Sequence, residues 1–546
     1  MLAFSFKFDK IYIALFCICC VISIAGCRQE KKAKKQDQEK SKAIKEWNKT
    51  IPGNFSAEQN RFLDSMEIDS FINKYPLFQA YAASIREFYD GRNLAYAWYA
   101  DNRLIEQAGN LADRVKNLKN EGISQETPYR NILDSLLYAK AAGTPDVKLE
   151  LMLTANYFVF AKLAWEGMDP AISKSSQWYL PRKKMSYASY LDSLISAPQK
   201  ASKTAAPVYR QYDLLKQHLS HYRDLQKEDP SWTPITSTVK SYKPGDSSVP
   251  IAAVKQRLFK LGDFKGDTLS YVYDEALETA TKQFQSRHGL PADGAIGKGT
   301  LDEMNVPLTN RIRQILVNME RCRWLPVHMD SVYLGVNIPE FKLHVYHSDS
   351  LLWSCNVVVG QSVHRTVIFS GDMKYVVFSP YWNVPESIVR NEIMPAMKRN
   401  PGYIKSHKME ITGYNGGIPN VRQKPGPQNS LGLVKFLFPN SYNIYLHDSP
   451  AKSLFNESSR AFSHGCIRVG EPFKLAAFLL QNYDNWDEQK IKSSMNRGVE
   501  QYVTLKHKIP VFIAYFTAFT DRKNLLNFRK DIYSRDDALA KMLIED

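Results

Sequence analysis

Cysteine, histidine and arginine lie close together in one short segment, SHGCIRV, at residues 463–469. If this segment is extended, Cys466 and Arg468 point to one side and Ile467 and Val469 to the other, because side chains alternate along a strand. A cysteine attacks as the thiolate, and a thiol of ordinary pKa, about 8.5, needs a neighbouring base or positive charge near neutrality. The segment therefore predicts a cysteine nucleophile, with an inert buried thiol as the alternative.

A histidine that could activate Cys466 lies upstream, in the segment SYNIYLHDSP at residues 441–450. If this segment is a strand, Tyr445 and His447 share one face, and His447 stands at the strand end. A neighbouring strand could then bring His447 to the thiol as a base. Gly465 would allow the backbone to approach a substrate closely, with N–H groups turned toward a developing oxyanion.

In the segments that must position these residues, the hydrophobic pattern has a period of two residues, as in β-strands. VYLGVNIPEFKLHVYH, LLWSCNVVVG and KYVVFSPYWNVP are rich in β-branched and aromatic residues and predict a sheet-rich domain. Residues 389–432 interrupt it with a helical start and a Gly/Pro-rich close, and such long insertions often act as lids. Tyr381 and Trp382, just before this insertion, either line a groove or fill the core.

The chain upstream of the sheet-rich part is predicted to be helical. Apolar residues at helical spacing over 151–164, with Gly167 as a stop, belong to a helical scaffold expected at residues 48–240. A stretch rich in Pro, Ser and Thr follows and marks a boundary. Beyond it, residues 249–307 carry the apolar spacing of three short helices around a Gly/Pro-rich turn.

Composition and charge restrict the class of protein. A chain of 546 residues exceeds what one core usually covers, so several domains are expected. The 72 Lys and Arg against 56 Asp and Glu give a net charge of +16, which suits an anionic polymer, a membrane surface or nucleic acid. Nucleic-acid binding is disfavoured, because the basic residues are spread out and the chain is predicted to be exported.

The N-terminus predicts export. Two lysines precede the apolar run 11–25, which is shorter than a membrane span and typical of a secretory signal. The run ends in Ile-Ala-Gly-Cys, which resembles a bacterial lipobox and predicts a signal peptide at 1–27 with lipidation of Cys27. An uncleaved membrane anchor is the alternative. Residues 28–47, rich in Lys, Glu and Gln, predict a charged tether that leaves the rest of the chain outside the cytoplasm.

Three further cysteines would remain in the exported protein, namely Cys322, Cys355 and Cys466. The first two lie in apolar contexts and are predicted to be core residues, although a disulfide between them is left open. No CxxC pair occurs among them, so a structural zinc site is not predicted. Neither a metal nor an organic cofactor is expected.

SHGCIRV, together with the upstream YLHDSP, resembles the catalytic motif of the YkuD-type L,D-transpeptidases. PYWNVP, LGLVKFLFPN and IPVFIAYFTAF resemble the large murein L,D-transpeptidases of Gram-negative bacteria, which combine a helical scaffold, a peptidoglycan-binding domain and a capped catalytic domain. Residues 249–307 resemble the type-1 peptidoglycan-binding domain. The expected fold class is therefore α+β multidomain, with a mainly β catalytic domain at 330–520 and a C-terminal tail at 521–546.

The resemblance also implies roles for individual residues. Cys466 matches the nucleophile and His447 its base, and the partner of that histidine in the family is often a backbone carbonyl, so Asp448 is given no triad role. His464 is expected to brace the loop or to share the face of the thiol. Arg468 is expected to bind a substrate carboxylate, or else to pair with an internal acid. The positions expected to bind substrate or shape the motif are Ser463, His464, Gly465, Arg468, Trp382 and Tyr445.

The implied reaction is an acyl transfer in peptidoglycan biosynthesis, which would serve cell wall organisation and cell shape. Cys466 would attack the bond between the third-residue diamino acid and the terminal D-Ala of a tetrapeptide stem. A second stem would then resolve the thioester with its side-chain amine, giving a 3→3 cross-link. The alternatives are an L,D-carboxypeptidase, an enzyme that attaches proteins to murein, and a non-catalytic wall-binding anchor. The expected location is the cell envelope, facing the periplasm and tethered to a membrane.

Overall fold

The structure is a computed structural model that describes residues 61–544, apart from 101, 140–144, 197–205, 328, 330 and 349. The signal peptide expected at 1–27, its lipidated Cys27 and the tether expected at 28–47 lie outside the described residues. Among the helices of the described part, none combines the length and apolar composition that crossing a membrane requires.

The first part of the described chain is helical, as its apolar spacing predicts. The helix Val147–Phe160 is buried along nearly its whole length, continues as the π-helical turn Ala161–Glu166 and ends at Gly167, where φ is 76°. A Cβ at Gly167 would lie 2.4 Å from Oε1 of Glu320, so the predicted stop also suits close packing. The other helices are Ser65–Lys74, Pro76–Tyr81, Ala82–Asp90, Glu106–Lys116, Leu118–Glu121, Arg130–Ala139, Pro170–Ser175, Tyr187–Ser196 and Gln211–Glu228, and the short strands are β1 (Tyr99–Ala100), β2 (Arg103–Leu104) and β3 (Trp178–Tyr179).

A small three-helix unit follows. Its helices are Val249–Lys260, Glu275–Arg287 and Lys298–Met304, and the antiparallel strands β4 (Ser241–Tyr242) and β5 (Ile296–Gly297) pair the residues before the first helix with those before the third. The apolar residues predicted at helical spacing form a core of their own, which contains Val254, Leu258, Ala280, Phe284 and Leu301. The three predicted helices are confirmed.

The helix Leu308–Trp324 connects the helical part to the sheet. Its Arg323 is buried, forms an ion pair with Glu320 at 2.6 Å and donates to the carbonyl of Glu121 at 2.7 Å. Glu320 in turn accepts from the backbone N–H of Met168 at 2.7 Å. These bonds fix the scaffold against the connecting helix, because breaking a buried ion pair leaves an unpaired charge.

The sheet-rich domain predicted from the period-two pattern is confirmed, as is the α+β multidomain class. The strands of this domain are β6 (Val332–Asn337), β7 (Lys342–His347), β8 (Ser350–Gly360), β9 (Ile368–Phe378), β10 (Trp382–Asn383), β11 (Met409–Asn415), β12 (Ile418–Gln423), β13 (Val434–Leu437), β14 (Leu446–His447), β15 (Ala461–Ser463), β16 (Ile467–Val469), β17 (Gln501–Ala514) and β18 (Ala518–Thr520). The main sheet runs in the order β13-β14-β16-β8-β7-β6-β17-β9-β3, and an additional pairing of β13 with β9 closes it on itself. The scaffold contributes its edge strand β3, which pairs with β9 in parallel.

The segment predicted as an insertion at 389–432 folds together with the strand β10 before it, and residues 382–432 are called the insertion from here on. They have a small core of their own, formed by Val389, Ile393, Ile418 and Val421. The predicted segment begins with helical turns, as expected, but β11 and β12 then form a hairpin that pairs with β10. The hairpin turn is Gly416-Gly417, both with positive φ, which is the geometry that two-residue loops favour. Its helical turns are Glu386–Ile388, Val389–Ile393, Met394–Arg399 and Tyr403–Ser406.

The last part of the chain is folded where the structure describes it. The strand β19 (Leu526–Phe528) pairs with β18, and the helix Asp536–Ile544 follows. Phe528 and Tyr533 are buried, so the segment expected as a C-terminal tail packs on the domain body. The remaining helices of the sheet-rich domain are Ile338–Glu340, Lys452–Asn456, Pro472–Leu480 and Glu488–Met495.

Candidate active site

Two short strands bring the predicted nucleophile and base to one face of the sheet. β14 pairs with β16 in parallel, with Leu446 opposite Ile467 and His447 opposite Arg468. Leu446 and Ile467 are fully buried in the core. Because side chains alternate along a strand, His447 and Arg468 share the other face, and Cys466 joins them two residues before Arg468.

The strand that carries His447 is shorter than its sequence predicts. The segment 441–450 was expected to be extended, but only two of its residues belong to β14. Nδ2 of Asn440 donates to the carbonyl of Ile444 at 2.8 Å, and Asn443 adopts the left-handed region with φ of 55°. Asparagine tolerates this region, so a turn replaces the predicted strand. The turn brings the carbonyl of Asn443 within 3.6 Å of Sγ of Cys466, which donates to it.

The thiol of Cys466 is half-buried, and its resting form is neutral. Removal of water raises the pKa of the thiol above its ordinary value. Hydrogen bonding with Tyr445 and the charge of Arg468 lower this pKa, but by less than burial raises it. Tyr445 also contacts the side chain of Trp382, so the insertion borders the thiol through these two aromatic residues.

The imidazole of His447 is buried and neutral. Burial, followed by the charge of Arg468, lowers the pKa of His447 to about 3, although the carbonyls of Asp448 and Leu431 act in the opposite direction. Nδ1 donates to the carbonyl of Asp448 at 2.5 Å, so the proton resides on Nδ1 and Nε2 is left as the acceptor. Among the described residues no hydrogen bond joins this ring to Cys466, and such contacts often tighten only when substrate binds.

Asp448 holds the backbone where the insertion returns to the sheet. Its carboxylate accepts from the N–H of Leu433 at 2.9 Å and from Nζ of Lys452 at 2.5 Å. A Cβ at Gly432 would lie 2.4 Å from Cγ of Asp448, and φ of Gly432 is 63°, so only glycine fits there. The carboxylate is thus fully used by the fold, and the backbone carbonyl of Asp448 is the part that contacts His447.

Ser463 and Gly465 form the turn that precedes the thiol. Oγ of Ser463 donates to the carbonyl of Cys466 at 2.5 Å and accepts from the N–H of Gly465 at 3.1 Å. Gly465 has φ of 113°, which disfavours any residue with a Cβ. The N–H of Gly465 is therefore engaged by Ser463 in this structure, and it is not free for the oxyanion contact expected from the sequence.

Three residues that the motif does not contain support this turn. Oγ1 of Thr366 donates to the carbonyl of Gly465 at 2.8 Å and accepts from the N–H of Gly360 at 2.9 Å. The hydroxyl of Tyr533 donates to the carbonyl of Gly360 at 2.5 Å and accepts from the N–H of Thr366 at 3.2 Å. A Cβ at Gly360 would lie 2.0 Å from the carbonyl oxygen of His364. A glycine ending a buried strand is a sequence feature that marks such close backbone approach, whereas nothing in the sequence singles out Thr366 or Tyr533.

Arg468 and His464 have different surroundings. Within the described part of the chain, Arg468 forms no ion pair, and its Nε is buried without a hydrogen-bond partner. The internal acid considered from the sequence is thus not seen, and the guanidinium is available for a carboxylate ligand. His464 contacts the insertion instead, with Nε2 2.8 Å from Oε1 of Glu392 and its ring centroid 5.1 Å from that of His364.

Cys322 and Cys355 are buried and free, so the disulfide left open between them is not formed. Burial raises the pKa of Cys355 to about 11 and that of Cys322 further. In the part of the chain that the structure describes, no group of three or more His, Cys, Asp or Glu side chains is arranged to hold a metal ion.

We expect the thiol of Cys466 to be a slow nucleophile toward small alkylating agents at neutral pH. Because burial raises its pKa, the thiolate fraction is small at pH 7, and the rate should still be rising with pH above about 8.5, the ordinary thiol value. Alkylation by iodoacetamide, followed by intact mass against pH, measures this. A rate that is already constant between pH 6 and 7 would instead indicate a preformed thiolate–imidazolium pair. As a control, Cys355 must remain unmodified in the folded protein at pH 7, because its alkylation would invalidate the comparison.

Residues 331–492 match the family model of the "L,D-transpeptidase catalytic domain", YkuD. The chain carries a YkuD-type L,D-transpeptidase catalytic domain. Two further models match the chain upstream of this domain, a "Scaffold domain" at residues 83–219 and a "Putative peptidoglycan binding domain" at residues 247–304. The three matches follow one another in the order scaffold, peptidoglycan-binding domain and catalytic domain that the resemblance implies.

A curated relative, named "Putative L,D-transpeptidase", comes from Haemophilus influenzae and is 32% identical over 244 residues. The aligned part covers 42% of this chain and 49% of that protein, so the match spans about half the length of the relative. The L,D-transpeptidase (residues 123–326) of Xylanimonas cellulosilytica is 15% identical, with a TM-score of 0.18, over 51% of this chain and 100% of that one. The L,D-transpeptidase of Stackebrandtia nassauensis is 14% identical, with a TM-score of 0.22, over 51% and 97%. The family model, and not these two structures, identifies the domain.

Proposed function

We propose that this L,D-transpeptidase domain joins peptidoglycan stems by a ping-pong acyl transfer through a thioester on Cys466. The observation that carries the residue assignment is the parallel pairing of β14 with β16, which gives His447 and Cys466 the same face of the sheet. The family match of residues 331–492 supports the reaction class, and the matched domain at 247–304 supports peptidoglycan as the polymer.

The first half-reaction begins from a neutral thiol and a neutral imidazole. As Sγ of Cys466 attacks the carbonyl that precedes the terminal D-Ala, its proton passes to Nε2 of His447. The raised thiol pKa and the lowered histidine pKa disfavour this transfer at rest, so the proton moves only as the carbon–sulfur bond forms. The proton then leaves with the amine of D-Ala, and the thioester remains.

The cation of Arg468 suits the donor stem. A peptide stem that ends in D-Ala presents a carboxylate, and a guanidinium without an internal partner binds carboxylates in a bidentate geometry. Trp382 borders the thiol from the insertion and Tyr445 borders it from the position just before β14, and an extended peptide could lie there. We therefore assign Arg468, Trp382 and Tyr445 to donor binding, with Ser463 and Gly465 shaping the loop.

The acceptor that is used in the second half-reaction distinguishes three related activities. A stem amine as acceptor gives a 3→3 cross-link, water gives an L,D-carboxypeptidase, and a protein amine attaches that protein to the wall. The non-catalytic anchor is disfavoured, because a free, half-buried thiol shares a face with a neutral imidazole. The location that fits this function is the cell envelope facing the periplasm, with Cys27 as the proposed membrane attachment.

The test is incubation of the purified chain with disaccharide tetrapeptides, followed by mass spectrometry of the products. We expect dimers that have lost one D-Ala. Tripeptides without dimers would reduce the function to hydrolysis, and the absence of any product would favour the wall-binding anchor.

A further inference from the structure

Two buried hydroxyl groups from outside the motif hold the loop that carries the thiol. Oγ1 of Thr366 donates to the carbonyl of Gly465 at 2.8 Å. The hydroxyl of Tyr533 accepts from the N–H of Thr366 at 3.2 Å and donates to the carbonyl of Gly360 at 2.5 Å. The N–H of Gly360 in turn donates to Oγ1 of Thr366 at 2.9 Å. Each hydroxyl therefore donates once and accepts once, and Tyr533 reaches the loop through Thr366 and Gly360.

The bond from Thr366 fixes the orientation of one peptide unit. The carbonyl of Gly465 and the N–H of Cys466 belong to the same unit, which is planar and trans, so the two groups point in opposite directions. Because Gly465 has no Cβ, its backbone alone would allow other orientations of this unit. The bond to the carbonyl selects one of them, and it thereby sets the direction of the N–H of Cys466.

The N–H of Cys466 is a donor that the loop leaves open. The N–H of Gly465 is engaged by Oγ of Ser463, whereas no hydrogen bond joins the N–H of Cys466 to another residue of the described chain. This N–H and the attacking Sγ belong to one residue, so a carbonyl under attack lies beside it. The backbone N–H of the nucleophilic residue is an established donor to the oxyanion in acyl transfer.

Tyr533 is itself anchored by contacts outside the loop. Its N–H donates to the hydroxyl of Tyr515 at 2.9 Å, and the two rings stack with their centroids 5.6 Å apart. Two residues further on, Arg535 donates to the carbonyl of Ser176 in the scaffold at 2.6 Å. The position of the Tyr533 hydroxyl is therefore set by the packing of the chain's last part against the scaffold and the domain body.

We infer that Thr366 and Tyr533 are positioning residues for the acylation step, an inference that rests on the proposed function. Thr366 directs the N–H of Cys466 toward the carbonyl oxygen of the donor stem, where negative charge develops as the carbon–sulfur bond forms. Tyr533 holds Thr366 and Gly360 in the arrangement that this orientation requires. Both hydroxyls act through the loop and not on the substrate.

The test compares two reactions of the same thiol in the full-length chain. Release of D-Ala from disaccharide tetrapeptides in a single turnover passes through an oxyanion, whereas alkylation by iodoacetamide displaces iodide from a saturated carbon and forms none. We expect Thr366→Val to slow D-Ala release about a hundredfold, the size of losing one oxyanion donor. Alkylation of Cys466, followed by peptide mapping, should keep the wild-type rate. Thr366→Ser retains the hydroxyl and should recover most of the rate of D-Ala release.

Tyr533→Phe removes the second hydroxyl and keeps the ring. We expect D-Ala release to fall about tenfold, the size of one hydrogen bond, at an unchanged half-saturating substrate concentration. The double variant with Thr366→Val should be no slower than Thr366→Val alone, because both hydroxyls act through one contact. The matched control is Tyr157→Phe, which removes a buried hydroxyl that donates to the carbonyl of Tyr187 at 3.0 Å in the scaffold and should keep the wild-type rate. Thermal unfolding reports whether each variant is folded.

Three outcomes would overturn the inference. In the first, Thr366→Val or Tyr533→Phe releases D-Ala at the wild-type rate. In the second, D-Ala release and alkylation slow by the same factor in Thr366→Val, which would show that the hydroxyls only keep the loop folded. In the third, Tyr157→Phe slows D-Ala release as much as Tyr533→Phe does. Failure of the proposed function is distinguishable from all three, because the wild-type chain would then release no D-Ala while its thiol still reacted with iodoacetamide.

Discussion

Replacing Cys466 by alanine is expected to abolish acyl transfer and to leave the fold intact. The hydrogen bond from the thiol to the carbonyl of Asn443 is long, at 3.6 Å, and the side chain is half-buried, so its loss costs the fold little. No other described cysteine can replace it, because Cys322 and Cys355 are enclosed in the core. The measurement is product formation from disaccharide tetrapeptides together with thermal unfolding.

Cys355→Ala is the matched control. This side chain is only 4% exposed, and truncating it leaves a small cavity in the sheet core, which should cost about 1–2 kcal/mol of stability. We expect this variant to melt at a lower temperature and to retain activity, which is the opposite of the result for Cys466→Ala. Acyl transfer by Cys466→Ala at more than a trace of the wild-type rate would refute the nucleophile assignment.

Replacing His447 by alanine is expected to slow acylation by about a thousandfold at neutral pH, within the range that a general base contributes. The neutral imidazole accepts the thiol proton during attack, and without it the thiol must ionise alone. Because burial raises the pKa of Cys466, the variant should recover activity as pH rises and the thiolate forms. The wild-type enzyme should lose the base only as pH falls toward 3, where His447 becomes protonated. The measurement is the single-turnover rate of D-Ala release against pH.

His507→Ala is the control for removing an imidazole, since His507 is exposed on β17 and away from the pair of strands that carries the site. It should leave the pH profile unchanged. A wild-type acid limb near pH 6.5, or equal acylation rates for His447→Ala and the wild type at pH 7, would be incompatible with a buried neutral base.

The sequence predicts which side chains near the site share one face of a strand, but it does not predict the turn and the long-range contacts that bring these strands together. Alternation places Cys466 and Arg468 on one side of an extended segment, and in β16 Arg468 stands opposite His447 while Ile467 is buried. The prediction was wrong for the residues before His447, where the side chain of Asn440 and the positive φ of Asn443 form a turn. Local hydrogen bonding by asparagine competes with strand pairing, and periodicity alone does not detect it.

The supporting contacts come from residues far apart in the chain. Thr366 lies 99 residues from Gly465, and Tyr533 lies 167 residues from Thr366, yet their hydrogen bonds fix the loop that carries the thiol. Period-two patterns define which face of a strand is buried, but not which distant hydroxyl meets a given carbonyl. The same holds for Glu392 and His464, whose contact depends on how the insertion folds.

The most direct test of the central claim is the intact mass of the protein after brief exposure to a disaccharide tetrapeptide, with peptide mapping of any adduct. We expect one adduct on Cys466, equal in mass to the substrate minus D-Ala, which disappears as dimers form when more tetrapeptide is added. Product formation without an adduct on Cys466, or with the adduct on another residue, would contradict the thioester mechanism.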